Sequence, residues 1–174
     1  MVSDTVKTQE ILDALINQSG GLIWATEPQL GSKLRRIDFW TLHPNEGKGH
    51  QATSYEIKVS RADFKRDSAM KQREARLYSD RFFYVAPKDL IKPDEVPDWS
   101  GLMEWNGKRF QHKVHAPCLS KSTPSWDFVS SLFRSAGSIR RDVAVVTAGL
   151  QGKIWELKRE NEKLKRQLDS AHTS

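Results

Sequence analysis

Hydrophobic residues at helical spacing open the chain. Five of them form one stripe that ends before Gly20 and Gly21: Val6, Ile11, Leu12, Leu15 and Ile16. Because residues three or four positions apart lie on one helix face, the stripe predicts an amphipathic first helix. Three short apolar runs follow at residues 22–26, 37–42 and 54–59, and turn-forming residues separate them. These runs predict three strands that are connected as hairpins.

After Ser60 the pattern changes from strand to helix. Ser60 is a candidate N-cap with Asp63 three residues later, and the stretch up to Tyr78 is rich in Arg, Lys, Ala and Glu. We expect one continuous helix here, in which Asp67 pairs with Lys71 four residues on. The apolar run 81–87 predicts a buried strand parallel to the strand at 54–59, because a helical crossover joins the two.

The following segments predict a loop, a further hairpin and a short helix. Residues 88–100 contain prolines and show no regular apolar pattern, which favours a loop. Residues 101–114 favour a hairpin in which Asn106 and Gly107 form the turn. A Ser- and Pro-bearing linker then leads to a short helix at about residues 125–134.

A long helix with a heptad pattern is predicted from residue 138, after a break at Gly137. Apolar residues occupy most of the a and d positions: Thr147, Ile154, Asn161 and Leu168 at a, and Val143, Leu150, Leu157 and Leu164 at d. Asn161 favours a parallel two-stranded coil, and Glu160 at g faces Lys165 at e of a partner helix. We therefore expect a homodimer through residues 143–168, against the alternatives of a disordered or internally docked tail.

Length and composition limit the organisation and the partners. A chain of 174 residues with 37% hydrophobic residues supports one domain plus an appendage. We expect a core at 1–120, a linker with a short helix at 121–137, and the coiled-coil helix at 138–174. The net charge of +6 favours polyanionic partners, although many ordinary proteins are equally basic. The single cysteine, Cys118, and the lack of long apolar runs predict a cytoplasmic protein without a membrane span.

Three charged residues are embedded in predicted strands. Glu56 and Lys58 are two positions apart and therefore share one strand face. Asp38 lies between Ile37 and Phe39 in the preceding strand, and hairpin pairing brings it beside Glu56. Two neighbouring buried carboxylates need a cation, and their oxygens suit Mg²⁺ or Mn²⁺. The alternative is a solvent-facing edge strand with Asp38 at a bulge.

Other constellations are weaker. His112, His115 and Cys118 suggest a zinc site, but a spacing of three on a strand places the two histidines on opposite faces. Nothing resembles a P-loop or a Rossmann glycine pattern, so we expect no small-molecule cofactor. Basic residues around the second helix are candidates for phosphate contacts, or else form a solvated face: Arg61, Lys65, Arg66, Arg73 and Arg76.

The order of elements and several sequence runs carry a family resemblance. The order of elements is similar to that of the PD-(D/E)XK nuclease core: a helix, a strand, a strand with Asp38, a strand with Glu56-Ile57-Lys58, a helix and a buried strand. The runs ATEPQL at 25–30, RRIDFWTL at 35–42, YEIKVSRADFKRD at 55–67 and YSDRFFYVAP at 78–87 resemble the MmcB-like DNA repair proteins. The resemblance covers about residues 8–115.

That resemblance implies a fold, a metal and a substrate. It implies an α/β, restriction-endonuclease-like core with a mixed sheet flanked by helices. Asp38 and Glu56 would bind Mg²⁺ or Mn²⁺, and Lys58 would orient the attacking water or stabilise charge on the phosphate. The substrate would be DNA, cut by endonuclease or exonuclease action in repair or recombination. Alternatives are a non-catalytic DNA-binding module, which this intact set disfavours, or a coiled-coil adaptor.

The resemblance also adds secondary candidates. Glu10 lies where some members place a further acid, and Glu27 is its competitor at the end of the first strand. Lys71 and Gln72 fall on the family's lysine and tryptophan, so Gln72 is a departure, as is Ile37 in place of the usual proline. A further three residues match the motif: Arg61, Asp63 and Asp67.

Overall fold

The structure, a computed structural model, describes residues 7–30, 35–135, 152 and 154–166. The chain divides into two compact units, residues 1–136 and 137–174. The described part of the first unit contains ten helices and strands in this order: α1 (Thr8–Gln18), β1 (Ile23–Thr26), β2 (Phe39–Leu42), β3 (Ala52–Ile57), α2 (Arg61–Lys65), α3 (Arg73–Leu77), β4 (Arg81–Pro87), β5 (Gly101–Trp105), β6 (Phe110–Val114) and α4 (Trp126–Ser135). Two short 3₁₀ turns, Glu46–Lys48 and Pro93–Glu95, lie in connecting loops.

The six strands form one mixed sheet in chain order, β1 to β6. β1, β2 and β3 pair antiparallel, as the hairpin prediction requires. β3 pairs parallel with β4 through the helical crossover, which confirms that prediction, and β4 also pairs parallel with β5. The β5–β6 hairpin turns at Asn106 and Gly107, whose φ of +84° lies in the region that glycine tolerates. The fold is therefore α/β, with a mixed sheet flanked by helices.

The sheet is buried on both faces. Because strand side chains alternate, β2 sends Phe39 to one face and Trp40 to the other. The Phe39 face packs against Ile11 and Leu15 of α1. The Trp40 face packs against the remaining helices, through Phe64 of α2, Ala75 of α3 and Phe128 of α4. Two covered faces explain why β4 is almost wholly apolar.

The continuous helix predicted between Ser60 and Tyr78 is wrong. Ser60 does cap α2, because its Oγ accepts a hydrogen bond from the Asp63 backbone N–H. The helix ends at Lys65, however, and helical structure resumes only at Arg73. The Asp67 and Ser68 side chains take hydrogen bonds from nearby backbone N–H groups, which offers the chain an alternative to the helix. Residues 66–72, hereafter the 66–72 turn, therefore connect two short helices.

The short helix α4 belongs to the first compact unit. Its Phe128 ring is buried, with ring centroids 5.4 Å from Trp40 and 4.7 Å from Tyr78. The Ser131 hydroxyl also accepts a hydrogen bond from the Gln29 backbone N–H. Local sequence predicted this helix correctly, but its burial against the sheet extends the first unit to residue 136.

In the second unit, residues 154–166 are helical. Three of the predicted heptad positions, Ile154, Leu157 and Leu164, are exposed on this helix. The remaining apolar heptad positions lie outside the described residues. No helix in the described part of the chain is long and apolar enough to cross a membrane.

Candidate active site

Asp38 stands at the start of β2, where two hydrogen bonds hold it. Its carboxylate Oδ2 accepts a bond from the Ile57 backbone N–H at 2.6 Å, which ties it to the end of β3. Its backbone carbonyl accepts a bond from the Glu27 N–H at 3.1 Å. Because Phe39 pairs with Tyr55, the register places Asp38 next to Glu56, as expected from hairpin pairing. The side chain is thus fixed beside the next strand.

Glu56 and Lys58 lie together on the sheet face that α2 covers. The Lys58 ammonium contacts Glu56 Oε1 at 2.8 Å, and the Lys58 side chain is only 7% exposed. The second carboxylate oxygen, Glu56 Oε2, is buried and has no hydrogen-bond partner. These contacts contradict the solvent-facing alternative. A buried oxygen without a partner costs free energy, so a ligand bound at this atom would remove that cost.

Asp67 also lies beside Lys58, although the sequence predicted only a pair between Asp67 and Lys71. It contacts the Lys58 ammonium at 3.1 Å, and its side chain is 4% exposed. The expected pairing of Asp67 with Lys71 is wrong, because the Lys71 ammonium instead donates to the Arg66 carbonyl. The predicted continuous helix paired Asp67 with Lys71, whereas in the 66–72 turn the Asp67 side chain is buried against Lys58. Its match to the family motif was the available signal.

The site carries an excess of negative charge around one lysine. Burial, and after it the Asp38 carboxylate, raises the pKa of Glu56 to about 7. Burial also raises the pKa of Asp38, although the Ile57 N–H opposes that change. Burial acts to lower the pKa of Lys58, but Glu56 and Asp67 outweigh it and raise that pKa. Burial therefore disfavours the charged form of both carboxylates, and a cation bound beside them would favour it.

Asp38 and Glu56 fit a hard divalent cation. The Glu56 Oε2 atom lacks a partner, and both side chains offer the carboxylate oxygens that such an ion prefers. Among the described residues, no group of three or more His, Cys, Asp or Glu side chains is arranged to hold a metal. A cation at this pair would therefore complete its coordination with water or phosphate, as Mg²⁺ commonly does.

The two candidate additional acids differ in their surroundings. Glu10 accepts a hydrogen bond from Trp105 Nε1 at 2.7 Å, and α1 covers the sheet face opposite to Lys58. Glu27 follows β1, and its charge contributes to the raised pKa of Asp38. Its carboxylate pairs with Arg36 at 3.2 Å in an exposed contact. Of the two acids, Glu27 is the one that the structure brings near Asp38.

The secondary candidates in the region predicted as the second helix also differ in their surroundings. Gln72 is buried, and its amide donates to Asp67 Oδ2 at 2.8 Å, so it joins the site through Asp67. Lys71 is exposed, and its ammonium is directed to the Arg66 carbonyl. Of the basic residues, Arg61 forms a two-pronged pair with Glu95, and Arg76 lies over the Trp99 ring at 4.5 Å. The others are exposed: Lys65, Arg66 and Arg73.

The expectation that His112 and His115 lie on opposite faces is wrong. Their rings are nearly parallel, with centroids 6.3 Å apart. The pairing of β5 and β6 shifts register at Leu102 and Met103, and β6 ends at Val114, so simple alternation does not extend to His115. Cys118 is exposed, and its thiol faces the Leu119 carbonyl.

Comparison with known proteins gives a likeness of fold. No model of a known protein family matches the chain, and no curated protein matches it. Among solved structures, the chain is similar to a protein of unknown function from Silicibacter pomeroyi, with a TM-score of 0.54 and 21% sequence identity. The match covers 80% of this chain and 87% of the other. Sequence identity at this level shows a common fold only, so the chemistry is argued from the residues of the site.

Proposed function

We propose that this protein is a divalent-metal-dependent nuclease that hydrolyses phosphodiester bonds of DNA on a restriction-endonuclease-like core. The observation that carries the proposal is the partly buried carboxylate pair Asp38 and Glu56 beside Lys58, with the buried Glu56 Oε2 atom left without a partner. A structural ion pair would need only one acid for the lysine. The additional partly buried acid and the free oxygen are what a metal-assisted hydrolase requires.

Each residue of the site then has a distinct task. Asp38, fixed by the Ile57 N–H, and Glu56, fixed by Lys58, present oxygens from the ends of two paired strands. Mg²⁺ or Mn²⁺ bound there would polarise the phosphate and lower the pKa of a bound water. Lys58 remains a cation at neutral pH, because its pKa is raised. It therefore acts by orienting water or by stabilising negative charge on the phosphate, and it does not abstract a proton.

DNA is the proposed substrate for two reasons. The whole chain carries a net charge of +6, and the exposed cations Lys65 and Arg66 lie on α2 and the 66–72 turn, whose Asp63 and Asp67 contact Lys58, while Arg73 follows at the start of α3. Phosphate contacts of this kind give affinity without sequence preference. The resemblance to DNA repair proteins favours DNA over RNA. The single cysteine, Cys118, is consistent with the cytoplasm as the proposed compartment.

We further propose that the second unit forms a parallel homodimer. Three apolar heptad positions of the helix at 154–166, Ile154, Leu157 and Leu164, are more than half exposed within one chain. A second copy would cover them, and Glu160 would then face Lys165 of the partner helix. Two sites related by a two-fold axis suit the cutting of both strands of a duplex or a branched junction.

Cleavage of labelled DNA tests the proposal. Single-stranded, duplex and four-way-junction substrates are incubated with Mg²⁺, Mn²⁺ or EDTA, using wild type, Asp38→Asn and Lys58→Met. Asp38→Asn keeps an oxygen for the Ile57 N–H, so it removes charge with little change of shape. Asp98→Asn, at an exposed acid in the loop between β4 and β5, is the matched control. We expect metal-dependent cutting that both site variants lose and the control retains.

Two other outcomes would replace the nuclease assignment. A folded wild type that binds DNA but cuts none of the substrates would indicate a DNA-binding module on this fold. A folded dimer with neither metal binding nor DNA affinity would indicate a coiled-coil adaptor.

A further inference from the structure

The Lys58 ammonium is surrounded by three carboxylates, and they are not equivalent. It lies 2.8 Å from Glu56, 3.1 Å from Asp67 and 3.5 Å from Asp63. Asp67 is almost fully buried, whereas the Asp63 side chain is 46% exposed. An exposed ion pair contributes little, because water competes for both charges. Asp67 is therefore the strong partner of Lys58 outside the strand that carries Glu56.

Both oxygens of Asp67 are already bonded within the protein. Oδ1 accepts from the Ser68 backbone N–H at 2.8 Å, and Oδ2 accepts from the Gln72 amide at 2.8 Å beside the Lys58 contact. Glu56 differs, because its Oε2 has no partner. The two acids therefore differ in how far the protein already occupies their oxygens. Glu56 offers a cation an oxygen with no bond in the protein, whereas a cation at Asp67 would compete with the bonds to both of its oxygens.

We propose that Asp67 is a positioning residue, which holds the Lys58 ammonium in place for the phosphate while Glu56 serves the metal. This inference rests on the proposed nuclease function. When a cation shares the charge of Glu56, the attraction of Glu56 for Lys58 weakens, because the same carboxylate then serves two cations. Lys58 has a long and flexible side chain, so it needs a second fixed partner to keep one geometry.

Gln72 and the 66–72 turn make Asp67 that fixed partner. The Asp67–Gln72 bond closes the turn from one end to the other. Gln72 is itself buried and directly precedes α3, whose Ala75 is part of the core. The position of Asp67 is therefore set by the packed core rather than by a free loop.

The test compares two substitutions around the same ammonium. Asp67→Asn and Asp63→Asn each remove one negative charge with the same change of shape, and the exposed Asp98→Asn is the control. We expect Asp67→Asn to lower kcat about a hundredfold, because a misplaced catalytic group costs about that much. KM and the affinity for Mg²⁺, measured by calorimetry on the metal alone, should stay within about threefold. Asp63→Asn should lower kcat about threefold, since its ion pair is exposed.

A second variant covers the case in which Asp67→Asn does not fold. Gln72→Met keeps the volume but removes the amide that holds Asp67, and we expect kcat to fall about tenfold at unchanged KM. Thermal unfolding of every variant, followed by circular dichroism, identifies those that are folded. A kcat for Asp67→Asn or Gln72→Met no lower than that for Asp63→Asn overturns the inference. A large loss of Mg²⁺ affinity in Asp67→Asn overturns it as well, because Asp67 would then be a ligand.

A readout without substrate separates this inference from the nuclease proposal. A lysine ammonium held by buried acids exchanges its protons slowly, so ¹⁵N NMR in saturating Mg²⁺ should show a side-chain signal for Lys58 in wild type and in Asp63→Asn. The signal should disappear in Asp67→Asn and in Lys58→Met. If wild type cuts no DNA but this pattern holds, the nuclease proposal fails and the anchoring by Asp67 stands. A Lys58 signal that persists in Asp67→Asn refutes the anchoring, whatever the activity.

Discussion

Replacing Glu56 by glutamine should make the metal-free protein more stable at alkaline pH, although it removes a proposed metal ligand. Burial and the Asp38 charge raise the pKa of Glu56 from 4.5 to about 7. The folded protein therefore keeps this proton at pH values where the unfolded chain has released it. Rising pH favours the unfolded state across that interval, because the folded state binds more protons.

The magnitude follows from the same two values. Above pH 7, where Glu56 is ionised in both states, the unfavourable ionisation costs the folded protein about 3 kcal/mol. Glutamine carries no charge and escapes this cost. It leaves a buried amide without a partner, which costs about 1 kcal/mol at every pH. The Lys58 ammonium still contacts Asp67 and Asp63, so the substitution does not leave it unpaired.

Urea unfolding in EDTA, for wild type and Glu56→Gln at pH 4.5 and pH 8, measures the effect. The stability of the variant relative to wild type should rise by about 3 kcal/mol between the two pH values, with equal slopes against urea. The cost of the unpaired amide cancels in this comparison. At pH 8, Mg²⁺ should stabilise wild type and leave the variant unchanged. A relative stability that is the same at both pH values would refute the reasoning that burial and Asp38 destabilise the ionised Glu56.

Three further predictions concern the substrate, the dimer and the core. Three variants neutralise exposed cations: Lys65→Gln, Arg66→Gln and Arg73→Gln. Each should lower DNA affinity and should reduce the slope of log K against log salt by about one if that cation touches a phosphate. Lys108→Gln, in the β5–β6 turn, is the control and should change neither quantity. Leu164→Lys should convert the dimer into a monomer in sedimentation equilibrium, whereas Lys163→Ala, at a solvent position of the heptad, should remain dimeric. Gly101→Ala should cost about 2 kcal/mol in urea unfolding, because its Cβ would clash with the Phe83 ring and come within 2.7 Å of the Ala116 nitrogen. Equal stability of Gly101→Ala and wild type would contradict the close approach of β5 to β4 and Ala116.

Local patterns were sufficient for most elements. The apolar run 81–87 has the same bounds as β4, and the turn at Asn106 and Gly107 joins β5 to β6. Both signals are contained in a few adjacent residues, namely a continuous apolar run and a turn that requires a positive φ. The register of β2 and β3, and with it the closeness of Asp38 and Glu56, followed from the same alternation of apolar and polar positions.

The sequence by itself therefore determined the strands, the shared face of Glu56 and Lys58, and the placing of Asp38 next to Glu56. It did not determine where the helix after Ser60 breaks, because Ser68 and Asp67 compete with the helix only where the fold offers Asp67 a partner. That partner, the Lys58 ammonium, is nine residues away in sequence and is reached only through packing of α2 on the sheet. The tertiary structure alone decided that Asp67 pairs with Lys58, and that Gln72, of the two candidates Lys71 and Gln72, bonds to Asp67. It also decided that Arg61 is occupied by Glu95 and that Glu56 Oε2 remains free. Those outcomes depend on which side chains compete for the same buried partner in the folded protein. A local sequence pattern does not contain that information.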